Sequence, residues 1–268
     1  AGCAGDGDQR ACTCVRAHQV GYVIEHPLEK NQCTEYLKCS GLHCCNSVLQ
    51  QEKFPRKSFA TLFLIHGMKI SHTTALVLAA GAHSDQKRKN GEPYILHPIR
   101  VMRNLLMYVP EQARADTPWA EVALLHDVVE DTDVTEVQMR TYFDAATVDA
   151  VMEVTDDQTL SKGERKRAQL RSAPHKSQVA RWVKMADMLD NLSDRLLNPD
   201  TFSPGANAAY FGWKFAVFRA FVLADDDKNL AMALAGVFSA AKTNGLWTDA
   251  DATPKALERY FVREDART

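Results

Sequence analysis

The stretch Val179-Ala-Arg-Trp-Val-Lys-Met-Ala-Asp-Met-Leu-Asp-Asn-Leu-Ser-Asp-Arg-Leu196 decides the fold class. Its apolar residues Val179, Trp182, Ala186, Leu189, Leu192 and Leu196 recur at steps of three and four, the spacing of one face of an α-helix. Asp187 and Asn191 stand four residues apart on the same helix and so share a face. Asp187 lies between the core positions Ala186 and Leu189. An acid so placed is either paired or a ligand, because an unpartnered buried carboxylate is costly.

The same spacing runs outward in both directions. Leu76, Ala79 and Ala82 form one stripe, Ile99, Met102, Leu105, Leu106 and Val109 a second, and Val122, Leu125, Val128 and Val129 a third. Phe211, Phe215, Phe218 and Val222 continue the pattern after the central helix, followed by Leu230, Leu234, Val237 and Phe238. Pro98 and Pro118 suit helix starts, and Thr135-x-x-Gln138 and Ser161-x-x-Glu164 have capping-box form. Asn198 to Gly205 has the composition of a loop, and no strand pair with a hairpin turn is found. These features predict an all-α fold, a compact bundle of about eight helices. From about Thr248, Leu257, Tyr260, Phe261 and Val262 predict a terminal helix, with a frayed tail from Arg263.

Composition bounds the rest. Of 268 residues, 46% are hydrophobic and 25% charged, enough to bury a core. Thirty-two Lys and Arg against thirty-four Asp and Glu leave no global basic field for nucleic acid or an anionic membrane, so phosphate binding must be local. No apolar run reaches the roughly 18 to 20 residues that cross a bilayer, and a soluble, cytoplasmic protein is expected. All seven cysteines fall within the first 45 residues, without the paired C-x-x-C spacing of a structural zinc site. Residues 1–67 show no sustained periodicity and are read as a Cys-containing N-terminal segment, disordered or upstream of the working protein. The domain itself is placed at 68–245, and 246–268 is read as a C-terminal helix and tail.

Polar residues capable of chemistry cluster in three segments. Leu124-Leu-His126-Asp127-Val-Val-Glu130-Asp131-Thr132 sets four polar side chains in an otherwise apolar helix, with His126 and Glu130, and Asp127 and Asp131, each four apart. A solvated face fits poorly with Leu124, Leu125, Val128 and Val129 interleaved. An imidazole and a carboxylate together suit a divalent ion, and acids one turn on can orient or deprotonate a water. His97 precedes Pro98, and Lys87-Arg88-Lys89-Asn90-Gly91 is a short basic loop suited to phosphate oxygens. Asp187 and Asn191 supply the third segment.

Together the motifs A-H-x-x-Q-x-R-K-x-G-E-P-Y-I-x-H-P, L-L-H-D-V-V-E-D-T and K-x-A-D-x-x-x-N-L, from about Ala75 to Leu196, resemble the HD-domain alarmone hydrolases of the RelA/SpoT type, especially the small stand-alone members. The resemblance implies a single-metal HD bundle in which His97, His126, Asp127 and Asp187 hold one ion, usually manganese. It implies that Glu130 and Asp131 position and activate the attacking water. Arg88 and Lys89, with Asn90 in the same loop, and Asn191 are the expected substrate contacts. The implied reaction is hydrolysis of the 3′-pyrophosphate of guanosine tetra- or pentaphosphate, giving pyrophosphate and GDP or GTP. Where Asp85, Asn90, Met188 and Asp190 stand, family members commonly carry glycine, serine, arginine and histidine. Two alternatives accompany this reading: a broader nucleotide phosphohydrolase acting on NADPH or another 2′- or 3′-phosphorylated nucleotide, and a non-catalytic HD module that binds a nucleotide. Retention of Glu130 and Asp131 argues against the second.

Overall fold

The computed structural model describes residues 70–266, and the Cys-containing segment 1–67 lies outside them. The described chain is helical, with one isolated bridge between Lys87 and Pro93 closing the basic loop. The helices are α1 (Ile70–Ala82), α2 (Leu96–Tyr108), α3 (Glu111–Arg114), α4 (Trp119–Leu125), α5 (Val128–Asp131), α6 (Glu136–Met139), α7 (Ala145–Val154), α8 (Lys162–Ser172), α9 (Gln178–Leu197), α10 (Pro204–Ala220), α11 (Lys228–Thr243) and α12 (Pro254–Asp265). No described helix is long and apolar enough to cross a membrane.

The 20-residue α9 is the axis of the bundle. It buries Trp182, Met185, Ala186, Met188 and Leu192. It packs on α2 and α11 along one flank and on α4 and α7 along the other. Burial of each large apolar side chain contributes roughly 1.5–3 kcal/mol, which outweighs the modest helix propensity of its Trp and Asp residues. α1 packs on α4, and α4 on α2, so the elements carrying the His-rich motifs converge on the middle of α9. α8 and α12 pair on the far side, and α10 holds the turn at Asp249–Ala252. There Gly212 is required, since a Cβ would stand 2.4 Å from the Asp251 carbonyl oxygen.

Three local readings change. The stripe through Val122 and Val129 is not one helix: it breaks at His126 and Asp127 between α4 and α5, although the Asp131 N–H still donates to the Asp127 carbonyl at 2.9 Å. Pro98 is the third residue of α2 rather than the first, so His97 is the second residue of the helix, buried in its first turn, instead of preceding it. The tail from Arg263 is helical to Asp265, because the Asp265 carboxylate caps α8, accepting from Ser161 Oγ at 2.5 Å and from the Gly163 N–H at 2.7 Å. The Thr135 capping box forms in both directions, and Ser161 caps α8 through the Glu164 N–H.

One buried ion pair ties α9 to the start of α11. Asp227 is fully buried and accepts from Arg181 Nε at 2.7 Å, Trp182 Nε1 at 2.7 Å and the Ala224 N–H at 2.6 Å. Asp227→Ala leaves the Arg181 guanidinium buried without its partner and is expected to cost about 3–5 kcal/mol in urea unfolding. A loss under about 1 kcal/mol would show that solvent replaces the acid at that site.

Candidate metal centre and adjoining cleft

Three backbone elements deliver the candidate ligands to one point. α2 supplies His97, the break between α4 and α5 supplies His126 and Asp127, and α9 supplies Asp187. Ligand atoms of His97, His126 and Asp187 lie within 4.8 Å of one another, all three residues buried. His97 Nε2 is 3.2 Å from Asp187 Oδ1 and 3.5 Å from Asp127 Oδ2, and His126 Nε2 is 3.1 Å from the same Asp127 oxygen. The structure therefore brings together all four residues.

Both imidazoles are held by their other nitrogen. His126 Nδ1 is 2.8 Å from the Ala123 carbonyl, and His97 Nδ1 is 2.7 Å from Asp190 Oδ2. Each contact fixes the Nδ1–H tautomer and leaves Nε2 as a lone-pair donor facing the acids. His126 Nε2 is buried and finds no aligned hydrogen-bond partner, as expected of an atom that serves a cation. Two imidazoles and two carboxylates fit a divalent transition ion. The electrostatics agree: burial works against charge on His97, yet hydrogen bonds to Asp127, Asp187 and Asp190 push its imidazole well above the ordinary range. His126 is raised against its own burial by the Asp127 charge. Burial opposes ionisation of Asp127 and Asp187, but His126 and His97 respectively hold them below the usual carboxylate range. The pocket thus draws positive charge to Nε2, as protons or as a metal ion.

Glu130 and Asp131 diverge although they are neighbours on α5. Glu130 faces the cleft, and its Oε2 accepts the Asp156 N–H at 3.0 Å. Burial, then the nearby Asp156 charge, raises its pKa, as suits a proton acceptor. Asp131 instead accepts from the Tyr94 hydroxyl at 3.2 Å, and its carbonyl accepts from Gln86 at 2.7 Å. The same Tyr94 hydroxyl donates to Asp127 Oδ2 at 2.7 Å, and burial among these acids keeps the phenol protonated.

The His and Asp cluster borders a cavity of about 240 Å³ that is also lined by Lys162, Arg165, Lys166, Lys184 and Lys214. Lys214 is buried, 4.0 Å from Asp187 Oδ2, with its ammonium 4.3 Å from the Trp213 ring. A second cavity of about 250 Å³ shares Tyr94, Asn191 and Tyr210 with the first and contains Arg88 and Lys89. Arg195 lies there between Phe202 and Tyr210, 3.6 and 3.8 Å from their ring centres. Arg88 donates to Asn191 Oδ1 at 2.9 Å, and Asn191 donates to Asp187.

Four sequence-expected contacts therefore part company. Arg88, Lys89 and Asn191 reach the cleft, whereas Asn90 turns to Glu92 and Asp194 and borders a different cavity. Asp85 is exposed and Met188 is core, so neither borders the cleft. The lysine wall, Tyr94 and Asp190 were missed. The run Lys162-Gly-Glu-Arg165-Lys166 carried the signal for one helix of that wall, and Lys214 stood out as a lone cation in an aromatic stripe.

A family model described as an HD domain matches residues 75–194. The Xenopus tropicalis guanosine-3′,5′-bis(diphosphate) 3′-pyrophosphohydrolase MESH1 is 42% identical over 158 residues, covering 56% of this chain and 87% of that one. The Homo sapiens protein of the same name is 44% identical over 144 residues, covering 53% and 79%. A solved structure described as a metazoan ortholog of SpoT that hydrolyses ppGpp superposes with a TM-score of 0.59 at 34% identity, covering 67% of this chain and 98% of that one. On sequence, fold and the His and Asp cluster alike, the chain belongs to the HD-domain guanosine-3′,5′-bis(diphosphate) 3′-pyrophosphohydrolases.

Proposed function

We propose that the protein hydrolyses the 3′-pyrophosphate of guanosine tetra- and pentaphosphate to pyrophosphate and GDP or GTP, with one manganese ion held by His97, His126, Asp127 and Asp187. The observation that carries this reading is that one small cavity is lined by a buried His and Asp cluster, by Glu130 and by five cationic side chains. The ion supplies Lewis acidity at the phosphoryl group and acidifies water. Glu130, whose proton affinity burial has raised, takes the proton of the attacking water. The water oxygen bonds to phosphorus, the bond from phosphorus to the 3′ oxygen breaks, and a proton returns to that oxygen. Lys166, Lys184 and Lys214 neutralise the pyrophosphate oxygens as charge builds on them. Asp131 supports the site through Tyr94 rather than by touching the water.

At the other end of the cleft, Arg88, Lys89 and the stacked Arg195, Phe202 and Tyr210 form a basic aromatic wall for the nucleoside and its 5′-phosphates. The activity is assigned to residues 68–245, acting in the cytoplasm where free nucleotides are found.

Four outcomes follow. Asp127→Ala abolishes both metal binding and turnover. Glu130→Gln keeps the metal and lowers kcat by about 10²- to 10⁴-fold; an unchanged kcat would remove Glu130 from water activation. Lys184→Ala raises KM or lowers kcat/KM by roughly 10-fold or more, the loss of one charge-assisted contact to phosphate, with metal content unaltered. Incubation of a chain starting at Met68 with Mn²⁺ and ppGpp, NADPH or GTP yields pyrophosphate and GDP from ppGpp. Metal binding without turnover of any of them would favour a nucleotide-binding module.

A further inference from the structure

Asp190 sits one turn after Asp187 on α9, largely buried, and none of the chemistry above uses it. Its Oδ2 is 2.7 Å from His97 Nδ1. Arg100 Nε donates to Oδ1 at 2.6 Å, and Arg88 Nη1 lies 3.9 Å from Oδ2. We propose that Asp190 is a positioning residue of the metal centre: its carboxylate holds the His97 ring with Nε2 toward the ion and makes His97 the stronger donor of the two histidines. The proposal rests on the reading of His97 as a ligand.

The two imidazoles are anchored unequally. His126 Nδ1 meets a neutral carbonyl, whereas His97 Nδ1 meets a carboxylate that also pairs with Arg100 at 2.6 Å and lies 3.9 Å from Arg88. A charge-assisted hydrogen bond is roughly twice as strong as a neutral one and pushes electron density through the ring to Nε2. Asp187 and Asp190 project from one face of α9, three residues apart, so a single rigid helix fixes both a ligand and the group that aims its neighbour. The Arg88 side chain also donates to Asn191, which in turn donates to Asp187. Asp187 and Asp190 are thereby braced by the same arginine, which also reaches Asp194 at 3.4 Å.

Asp190 also borders a cavity of about 510 Å³, together with Arg100, Arg103 and Leu197, which shares no residue with the 240 Å³ cavity at the metal centre. Truncating the side chain opens a small void that a one-carbon carboxylate can enter from that cavity without crossing the substrate cleft.

The test measures Mn²⁺ affinity of the full chain by competition with a fluorescent chelator, apart from any activity. Asp190→Ala is expected to weaken Mn²⁺ binding by about 10- to 100-fold, and Asp190→Asn, which keeps an acceptor oxygen but no charge, by less. Formate is expected to restore affinity to Asp190→Ala but not to His97→Ala, and excess Mn²⁺ to restore turnover by Asp190→Ala. Binding within about twofold of wild type in both Asp190 variants would overturn the proposal, as would a loss that neither formate nor excess Mn²⁺ repairs. If Asp190→Ala does not fold, the isosteric Asp190→Asn decides by the same comparison with wild type and by recovery of turnover in excess Mn²⁺. Wild-type Mn²⁺ binding by His97→Ala would instead overturn the metal centre itself, which separates the two failures.

Discussion

Two carboxylates and two imidazoles share a buried pocket, and the rest of the molecule is arranged around the charge they require. Burial opposes ionisation of Asp127 and Asp187, but the imidazoles of His126 and His97 hold them below the usual carboxylate range, and the Nδ1 contacts of those imidazoles direct both Nε2 atoms toward the acids. The pocket exists because α2, the break between α4 and α5, and α9 cross at one level of the bundle, locked by the apolar face of α9. Without that packing the four groups would separate into water and titrate as ordinary side chains.

From this centre the cleft divides its work by polarity. The cations gathered around the cavity beside the acids suit a group carrying several negative charges, while the aromatic pocket beyond Asn191 suits a flat base. Asn191 and Tyr94 line both cavities, so the hydrogen bonds that brace the His and Asp cluster also shape the pocket that holds Arg88 and Lys89. The near-zero net charge of the chain conceals this local chemistry, because the clustered acids and the cations lining the same cavity cancel in the sum.

Much of this was legible in the sequence, for identifiable reasons. Steps of three and four along Val179 to Leu196 specify a buried helix face, and the structure places that helix at the centre. The His and Asp cluster was partly legible: His126, Asp127 and Asp187 interrupt apolar stripes, where their burial needs a partner, whereas His97 entered with the family motif. The break at His126 and Asp127 was not, since Val128 and Val129 preserve helical spacing across it and the residues that end α4 carry no glycine or proline. Asn90 could not be distinguished from Arg88 and Lys89 by composition: the turn closed by the Lys87 and Pro93 bridge decides which loop side chains face the cleft. The lysine wall escaped because its members come from α8, α9 and α10, and only the tertiary fold brings them together. Asp190 gave no sign of its role, which depends on the angle between α2 and α9 rather than on either segment alone.

The central claim is that one ion in this pocket and the residues facing it cleave a 3′-pyrophosphate. Its most direct measurement loads the chelated protein with increasing Mn²⁺ and follows bound metal and pyrophosphate release from ppGpp in the same samples. The account predicts that release rises in proportion to occupancy and levels off at one ion per chain, with GDP as the companion product. Equal release from chelated and loaded protein, or products other than pyrophosphate and GDP, would contradict it.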